Sequence, residues 1–323
     1  MPGIEGLHHV TAIAGQPQVN IDFYAGILGL RLVKVTVNFD DPTTYHLYYG
    51  DGQGHPGTIM TFFPWPAAPR GRIGTGQVSV VSFAVPEKSL EYWRGRLRKH
   101  GVECEQTSSD FGEELLFLTD PDGLQLELVT SPDAEPDRVW EQGTVPTEHA
   151  IRGFSHVTLL ENRYERTAAL LTSTLGFEQI AKQDNRFRYA VAAGTPGTIV
   201  DVVCVPGGGL GRVAVGTVHH VAWRTATDAE QEQWRGSLVA EQYDVTPIID
   251  RQYFHSIYFR EPGGVLFEIA TDPPGFATDE PTERLGTSLR LPPWLEQSRS
   301  RLERVLPPLV LPTNAAGKTD EAA

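Results

Sequence analysis

Two histidine doublets are the first candidates for chemistry, "LHHVTAI" at 7–13 and "VHHVAWR" at 218–224. Each stretch is typical of a short strand. Side chains alternate along a strand, so the two members of a doublet are expected to face opposite sides of a sheet. One histidine of each doublet, His9 and His220, could then face a common interior and share a metal ion.

Composition excludes several classes of protein. The chain has 323 residues, 40% of them hydrophobic, and a net charge of −14, which argues against nucleic acid or an anionic membrane as partner. Cys104 and Cys204 have no near neighbours of metal-binding or redox spacing. No apolar run is long enough to span a membrane. These features predict a cytoplasmic protein.

The elements that must position the histidines recur along the chain. The order β-α-β-β-β appears four times, and we call these repeats units one to four (5–65, 76–131, 151–206 and 216–272). A lone unit cannot close its sheet, whereas two paired units bury one face of an eight-stranded cup. The predicted fold class is α+β, with four βαβββ modules paired into two cup-shaped mixed β-sheet barrels. By sequence, the chain divides into an N-terminal domain, a C-terminal domain, and a helix with a disordered tail (1–140, 141–275 and 276–323).

Paired units of this kind, with His in the first strand and Glu in the last, resemble the vicinal oxygen chelate superfamily. That superfamily includes glyoxalase I, extradiol dioxygenases and bleomycin-resistance proteins. The segments "GLHHVTAIAG" and "DRQYFHSIYFREPGGVLFEIATDPPGF" are similar to ring-cleaving dioxygenases that act on hydroquinones. The resemblance covers nearly the whole chain apart from the tail.

The repeats suggest which residues hold the metal. A facial triad of two His and one carboxylate leaves positions open on Fe(II) for a substrate and O2. Unit four supplies His220 and Glu268. The third ligand is His156 if units three and four pair, as in catechol-cleaving enzymes, or His9 if units one and four pair, as the hydroquinone-type resemblance implies. The doublet occurs only in units one and four, which favours His9, and Glu127 is read as a polar residue at a cup mouth.

Residues around the triad follow from the turn "EPGG" at 261–264. Counting back from it places Tyr258 across from Glu268, within about one residue, where a phenol can shuttle a proton. The resemblance implies five active-site residues around the metal, Tyr258 among them. On an ideal strand His8 and His219, which we call the outer histidines, face away from the metal, so a local bulge is needed to bring them close. The five are His8, Thr11, His219, Arg251 and Tyr258.

The expected function is Fe(II)-dependent cleavage of a small aromatic diphenol by O2, although the same triad also serves Mn(II). One alternative is a catechol extradiol dioxygenase that uses His156. Another is a glyoxalase-type lyase or isomerase, which usually takes a fourth ligand, often Glu, where this chain has Thr61 and Phe62. A sequestering protein of bleomycin-resistance type usually lacks the triad. Ring substituents stay open, as does a homo-oligomer built through the C-terminal helix.

Overall fold

The computed structural model describes residues 3–132 and 139–312. Every unit folds in the predicted order. Unit one contains β1 Leu7–Ala14, α1 Pro17–Ile21, β2 Arg31–Val37, β3 Tyr45–Gly50 and β4 Ile59–Pro64. Unit two contains β5 Gln77–Val85, α2 Leu90–Lys99, β6 Cys104–Ser108, β7 Glu114–Thr119 and β8 Gln125–Thr130. Unit three contains β9 Phe154–Glu161, α3 Glu165–Ala169, β10 Glu178–Gln183, β11 Arg186–Ala190 and β12 Ile199–Cys204. Unit four contains β13 Thr217–Thr225, α4 Asp228–Ala240, β14 Ile249–Asp250, β15 Phe254–Arg260 and β16 Leu266–Pro274.

The sixteen strands form two eight-stranded mixed sheets. One has the order β14-β15-β16-β13-β1-β4-β3-β2 and joins units one and four, and we call it the first cup. The other has the order β10-β11-β12-β9-β5-β8-β7-β6 and joins units two and three, and we call it the second cup. Each cup is joined at its centre by an antiparallel pair, β1 with β13 or β5 with β9. The sheets therefore do not coincide with the sequence halves 1–140 and 141–275, and that division into domains stays a prediction.

The helices of units one and three share an unusual ending. Pro17 begins α1, where its missing N–H costs nothing, and the helix widens into a π-helical turn at Asp22–Ile27. Unit three repeats this with a π-helical turn at Leu170–Thr174. Gly29 and Gly176 then take φ values of +73° and +80°, the left-handed conformation that ends a helix readily only at glycine.

The helices pack on the sheets through large side chains. Trp93 of α2 and Trp234 of α4 are each no more than 1% exposed, as is Tyr24 in the π-helical turn of unit one. This burial covers the outer faces of the cups, so the inner faces are left to form a site.

The C-terminal segment lies along unit one. The buried ammonium of Lys34 in β2 donates to Asp279 at 2.6 Å and also pairs with Glu280. Leu289 forms a bridge with Val35, which covers the edge strand of the first cup. The predicted helix is present as α5, Arg299–Val305, and residues 313–323 of the predicted tail lie outside the described residues.

The part of the chain that the structure describes also contains four short 3-10 helices, at Thr147–His149, Phe276–Thr278, Thr282–Arg284 and Glu296–Ser298. Within residues 3–132 and 139–312, no helix combines the length and apolar composition needed to cross a bilayer.

Candidate metal centre

Three buried side chains from neighbouring strands of the first cup converge on one point. His9 comes from β1, His220 from β13 and Glu268 from β16. His9 Nε2 lies 3.3 Å from both His220 Nε2 and Glu268 Oε2, and His220 Nε2 lies 3.0 Å from the same carboxylate oxygen. The pairing of units one and four therefore brings His9, and not His156, to the unit-four residues.

The hydrogen bonds around His9 fix its tautomer. His8 Nε2 lies 3.2 Å from the Thr271 carbonyl, which can only accept, so His8 Nε2 carries the hydrogen. Burial lowers the pKa of His8 well below its usual value, and its Nδ1 is then a lone pair. His9 Nδ1, 2.9 Å away, must donate to it. The Nε2 lone pair of His9 consequently faces the triad.

The donor set fits a divalent transition-metal ion. Glu268 Oε2 is buried, and among the described residues no group is oriented to donate a hydrogen bond to it. An ion with bonds of about 2.1 Å at right angles separates its ligand atoms by about 3 Å, which matches the observed spacing.

Bulges explain how consecutive histidines act together. The register between β1 and β13 shifts between Leu7 and His9 and again between Thr11 and Ala12, so His8 and His219 are the extra residues. His219 Nδ1 lies 2.7 Å from His220 Nδ1, which repeats the contact between His8 and His9. The bulges thus bring both outer histidines against the inner ones, as the sequence required.

A second carboxylate contact and a phenol complete the surroundings of Glu268. Its Oε1 accepts a short hydrogen bond from the Ser256 hydroxyl. Tyr258 pairs directly with Glu268 across β15 and β16, and Phe117 pairs in the same way with Glu127. The register predicted for Tyr258 is confirmed.

Arg251 lies at the same wall of the site. Its Nε donates to the Tyr258 hydroxyl at 3.1 Å and its Nη1 pairs with Asp40 at 3.0 Å. Burial and the nearby Glu268 raise the pKa of Tyr258 above its usual value. Burial disfavours the charge of Arg251, yet Tyr258 and Asp40 raise its pKa overall. A protonated phenol and a cation therefore lie side by side.

The triad opens onto a cavity of about 300 Å³, near the lower end for small-molecule sites. Apolar aromatic side chains and one leucine form part of its wall, and histidines, tyrosines and other polar or charged side chains form the rest. The lining residues are His9, Asn38, Phe39, Asp40, His46, Tyr48, Phe63, Trp65, His219, His220, Arg251, Phe254, Tyr258 and Leu266.

Comparison with known proteins agrees with the fold. The family described as "Glyoxalase/Bleomycin resistance protein/Dioxygenase superfamily" matches residues 6–128 and 153–269. The chain belongs to this superfamily. A solved structure described as a "putative dioxygenase" from Bacillus subtilis superposes with a TM-score of 0.92 at 47% identity, covering 96% of this chain and 99% of that one. The family and fold class expected from the sequence are confirmed.

Curated relatives cover nearly the whole chain. "Putative ring-cleaving dioxygenase MhqO" of Bacillus subtilis (strain 168) is 48% identical over 94% of this chain and 96% of its own length. "Chlorohydroquinone/hydroquinone 1,2-dioxygenase" of Sphingobium indicum is 35% identical over 94% of this chain and 96% of its own length. Both are similar to this superfamily member from end to end.

The remaining sequence candidates lie in different places. His219, Arg251 and Tyr258 line the cavity. Thr11 is fully buried and lies beside His220 in the sheet, with its hydroxyl 3.1 Å from that of Thr61. His8 lies behind His9 and lines a separate cavity.

Sequence reasoning missed His46 and Tyr48 of β3, and Ser256 of β15. His46 belongs to neither histidine doublet, yet it lines the cavity. The available signal was the alternation in "YHLYYG", where His46 and Tyr48 share one face of a strand whose other face carries a buried leucine.

Proposed function

We propose that this protein is a non-haem, Fe(II)-dependent dioxygenase that uses O2 to open the aromatic ring of a hydroquinone-type para-diphenol. The broader class, a ring-cleaving dioxygenase, follows from the end-to-end similarity to relatives of that name. The observation that carries the finer assignment is the buried triad of His9, His220 and Glu268 at the end of a cavity sized for one aromatic ring. The cytoplasmic location stays a prediction.

His9, His220 and Glu268 would hold the metal, with the histidines bound through Nε2. When bound, Fe(II) supplies a Lewis acid that lowers the pKa of a phenol hydroxyl and a redox centre that passes electron density to O2. Hydrogen bonding between Nδ1 atoms lets His8 and His219 fix the ring orientation of the two ligands. Mn(II) is the alternative occupant.

Tyr258 is the proposed proton donor. Its raised pKa keeps the proton on the hydroxyl at neutral pH, and Arg251 Nε holds the oxygen in place from the other side. The hydroxyl can therefore give a proton to an oxygen atom of the opening ring, while the guanidinium stabilises the negative charge that develops there.

The walls of the cavity orient the ring. Phe39, Phe63, Trp65 and Leu266 present apolar surface to the substrate and displace water from the site. Thr61 occupies the position at which the lyase alternative would need a carboxylate, and its hydroxyl is engaged by Thr11 and His46. No contact of the described residues favours that alternative.

The test is O2 uptake by protein loaded anaerobically with Fe(II), with Mn(II)-loaded and metal-free protein in parallel. Substrates are hydroquinone, methyl- and chlorohydroquinone, catechol, and methylglyoxal with glutathione. We expect one O2 consumed per hydroquinone and a new ultraviolet band from the ring-opened product. Tightly bound iron without O2 uptake from any diphenol would contradict the proposal. Turnover of catechol alone would contradict the para preference.

A further inference from the structure

His46 and Tyr48 form a fixed polar pair on the unit-one wall of the cavity. Both nitrogens of the His46 ring are engaged, Nδ1 with the Tyr48 hydroxyl at 2.8 Å and Nε2 with Thr61 Oγ1 at 2.6 Å. The ring lies between those of Tyr48 and Phe63, with centroid distances of 3.9 and 4.3 Å. His46 is therefore held by contacts at both ring nitrogens and by two neighbouring rings.

Both members of the pair are neutral. Burial, with a smaller effect of His9, lowers the pKa of His46 well below its usual value. Burial also raises the pKa of Tyr48, so its phenol stays protonated. A phenol donates to an imidazole nitrogen readily, which leaves the lone pairs of the Tyr48 oxygen as an acceptor.

The second cup indicates where side chains at these positions point. Tyr48 pairs with Thr61 in the first cup, and Arg188 pairs with Asp201 at the matching place in the second. Arg188 Nε donates to Asp201 Oδ1 at 2.7 Å, and Asp201 Oδ2 lies 3.7 Å from His156 Nε2. His156 is the counterpart of His9. The side chains of Arg188 and Asp201 therefore lie on the same face of the sheet as His156.

Tyr48 and the ligand histidines reach the cavity from different strands. Tyr48 lies on β3, two strands away from β1 with His9, and both residues line the same cavity of about 300 Å³. A para-diphenol carries its hydroxyls at opposite ends of the ring, so one can lie at the triad while the other faces a second wall. A ring with its two hydroxyls on adjacent carbons presents both at the same end.

We propose that Tyr48, oriented by His46, accepts a hydrogen bond from the second hydroxyl of a para-diphenol whose first hydroxyl lies at the triad. Tyr48 contacts the substrate, and His46 is the positioning residue, fixed in turn by Thr61. The inference rests on the proposed function for its substrate class. It assigns recognition of the para hydroxyl to unit one, whereas Arg251 and Tyr258 of unit four act where the ring opens.

The test measures binding without O2, so that no turnover is needed. Anaerobic, metal-loaded protein is titrated with hydroquinone and with 4-methylphenol, which replaces the second hydroxyl by a methyl group of similar size. Wild-type protein should bind hydroquinone about tenfold more tightly. The variant Tyr48→Phe removes one oxygen atom, and the ratio of the two affinities should fall to about one because hydroquinone binding weakens. His46→Phe, which leaves the Tyr48 hydroxyl unfixed, should give an intermediate ratio of about three.

Phe39→Leu is the matched control, because Phe39 lines the same cavity without a polar atom. Both affinities should change together in that variant, so that their ratio stays at the wild-type value. A wild-type ratio near one, or a ratio that survives Tyr48→Phe, would overturn the inference. If Tyr48→Phe abolishes the preference for hydroquinone but the wild-type protein consumes no O2, the result would support this recognition and contradict the dioxygenase activity. Failure of the inference and failure of the proposed function are therefore distinguishable.

Discussion

The two cups share one backbone frame but differ in chemistry. The second cup has register shifts between Val78 and Val80 and between Ser82 and Phe83, at the same places as the bulges of the first. Its extra residues are Ser79 and Ser155 in place of His219 and His8. Ser155 Oγ lies 3.0 Å from His156 Nδ1, so even the contact that orients the ligand ring is kept. The bulged frame therefore does not itself create a metal site.

The side chains decide the difference. At the position of His220 the second cup has Val80, so the pair of imidazoles is lost. Asp201 replaces Thr61 and Arg188 replaces Tyr48, and the guanidinium of Arg188 binds Asp201 and Glu113. The buried Asp201 of the second cup thus has a cation of its own, whereas Glu268 Oε2 in the first cup has no hydrogen-bond donor among the described residues. A buried anion without a fixed cation is the feature that favours a metal ion.

The largest difference between the two cups is expected when the matching histidines, His9 and His156, are removed one at a time. His9→Ala should lower metal affinity and O2 uptake roughly a thousandfold or more, because it removes one of three ligands. His156→Ala should leave both unchanged. Metal content after anaerobic loading and the rate of O2 consumption are the measurements. The reverse result would place the third ligand in the second cup, as in the catechol-type alternative.

Tyr258 lies opposite Glu268 in the first cup, and Phe117 lies opposite Glu127 at the matching place in the second cup. Replacing Tyr258 by Phe therefore gives the first cup the residue that the second already has. Tyr258→Phe should lower kcat about a hundredfold while metal content stays at the wild-type level, because only the proton donor is removed. Single-turnover rates at saturating hydroquinone provide the measurement. An unchanged kcat would show that proton transfer does not depend on this hydroxyl.

Arg188, the cation that pairs with Asp201 in the second cup, should contribute to stability and not to catalysis. Arg188→Met leaves the buried Asp201 with Arg186 alone, and we expect the free energy of unfolding to fall by about 3 kcal/mol. Adding Asp201→Val to that variant should recover most of the loss. Urea unfolding followed by fluorescence measures both, with kcat as the control. A single variant as stable as the wild type would mean that the charge network is dispensable.

The smallest expected effect is on stability and concerns the contacts between adjacent units, which we call seams. Units one and two meet at the first seam, and units three and four meet at the second. At the first seam the Gly15 N–H donates to Asp122 at 2.7 Å, whereas at the second both oxygens of the buried Glu161 lack a donor among the described residues. Burial, together with the carboxylate of Glu261, raises the pKa of Glu161. Its protonated form is favoured in the folded state. Stability from this group is therefore complete below the usual Glu pKa and is lost as pH rises toward the raised value.

Glu161→Gln should remove this pH dependence. We expect a melting temperature about 2 °C above wild type at pH 8 and no difference at pH 5, measured by calorimetry. Asp122→Asn at the first seam serves as the comparison, because Asp122 accepts a hydrogen bond from the backbone there. Equal melting curves at both pH values would contradict an uncompensated carboxyl at the second seam.

Repetition made much of the fold and the triad predictable from sequence. Strand periodicity places equivalent residues of each unit at equivalent points of a sheet, so the doublets at His9 and His220 and the glutamate at Glu268 could be aligned with one another. The register of Tyr258 followed from the hairpin turn, because a tight turn fixes which residues face each other.

Other parts of the site depend on features that alternation does not reveal. An extra residue in a strand pair leaves no mark in the hydrophobic pattern, so the contacts of His8 and His219 required the structure. His46 and Tyr48 were missed because their counterparts, Arg186 and Arg188, are of a different chemical type. The second cup could be matched with the first residue by residue only once the register of its strands was known.

The pairing of the first unit with the last has a consequence during synthesis of the chain. His9 and His220 are 211 residues apart, which a ribosome needs roughly 10–40 s to translate. Units two and three are consecutive and can complete their sheet before unit four leaves the ribosome. During that time β1, which bears His9, has no β13 with which to pair. Capture of a metal ion by all three residues of the proposed triad would therefore follow synthesis of unit four, and a chain that ends before Glu268 could not form this site.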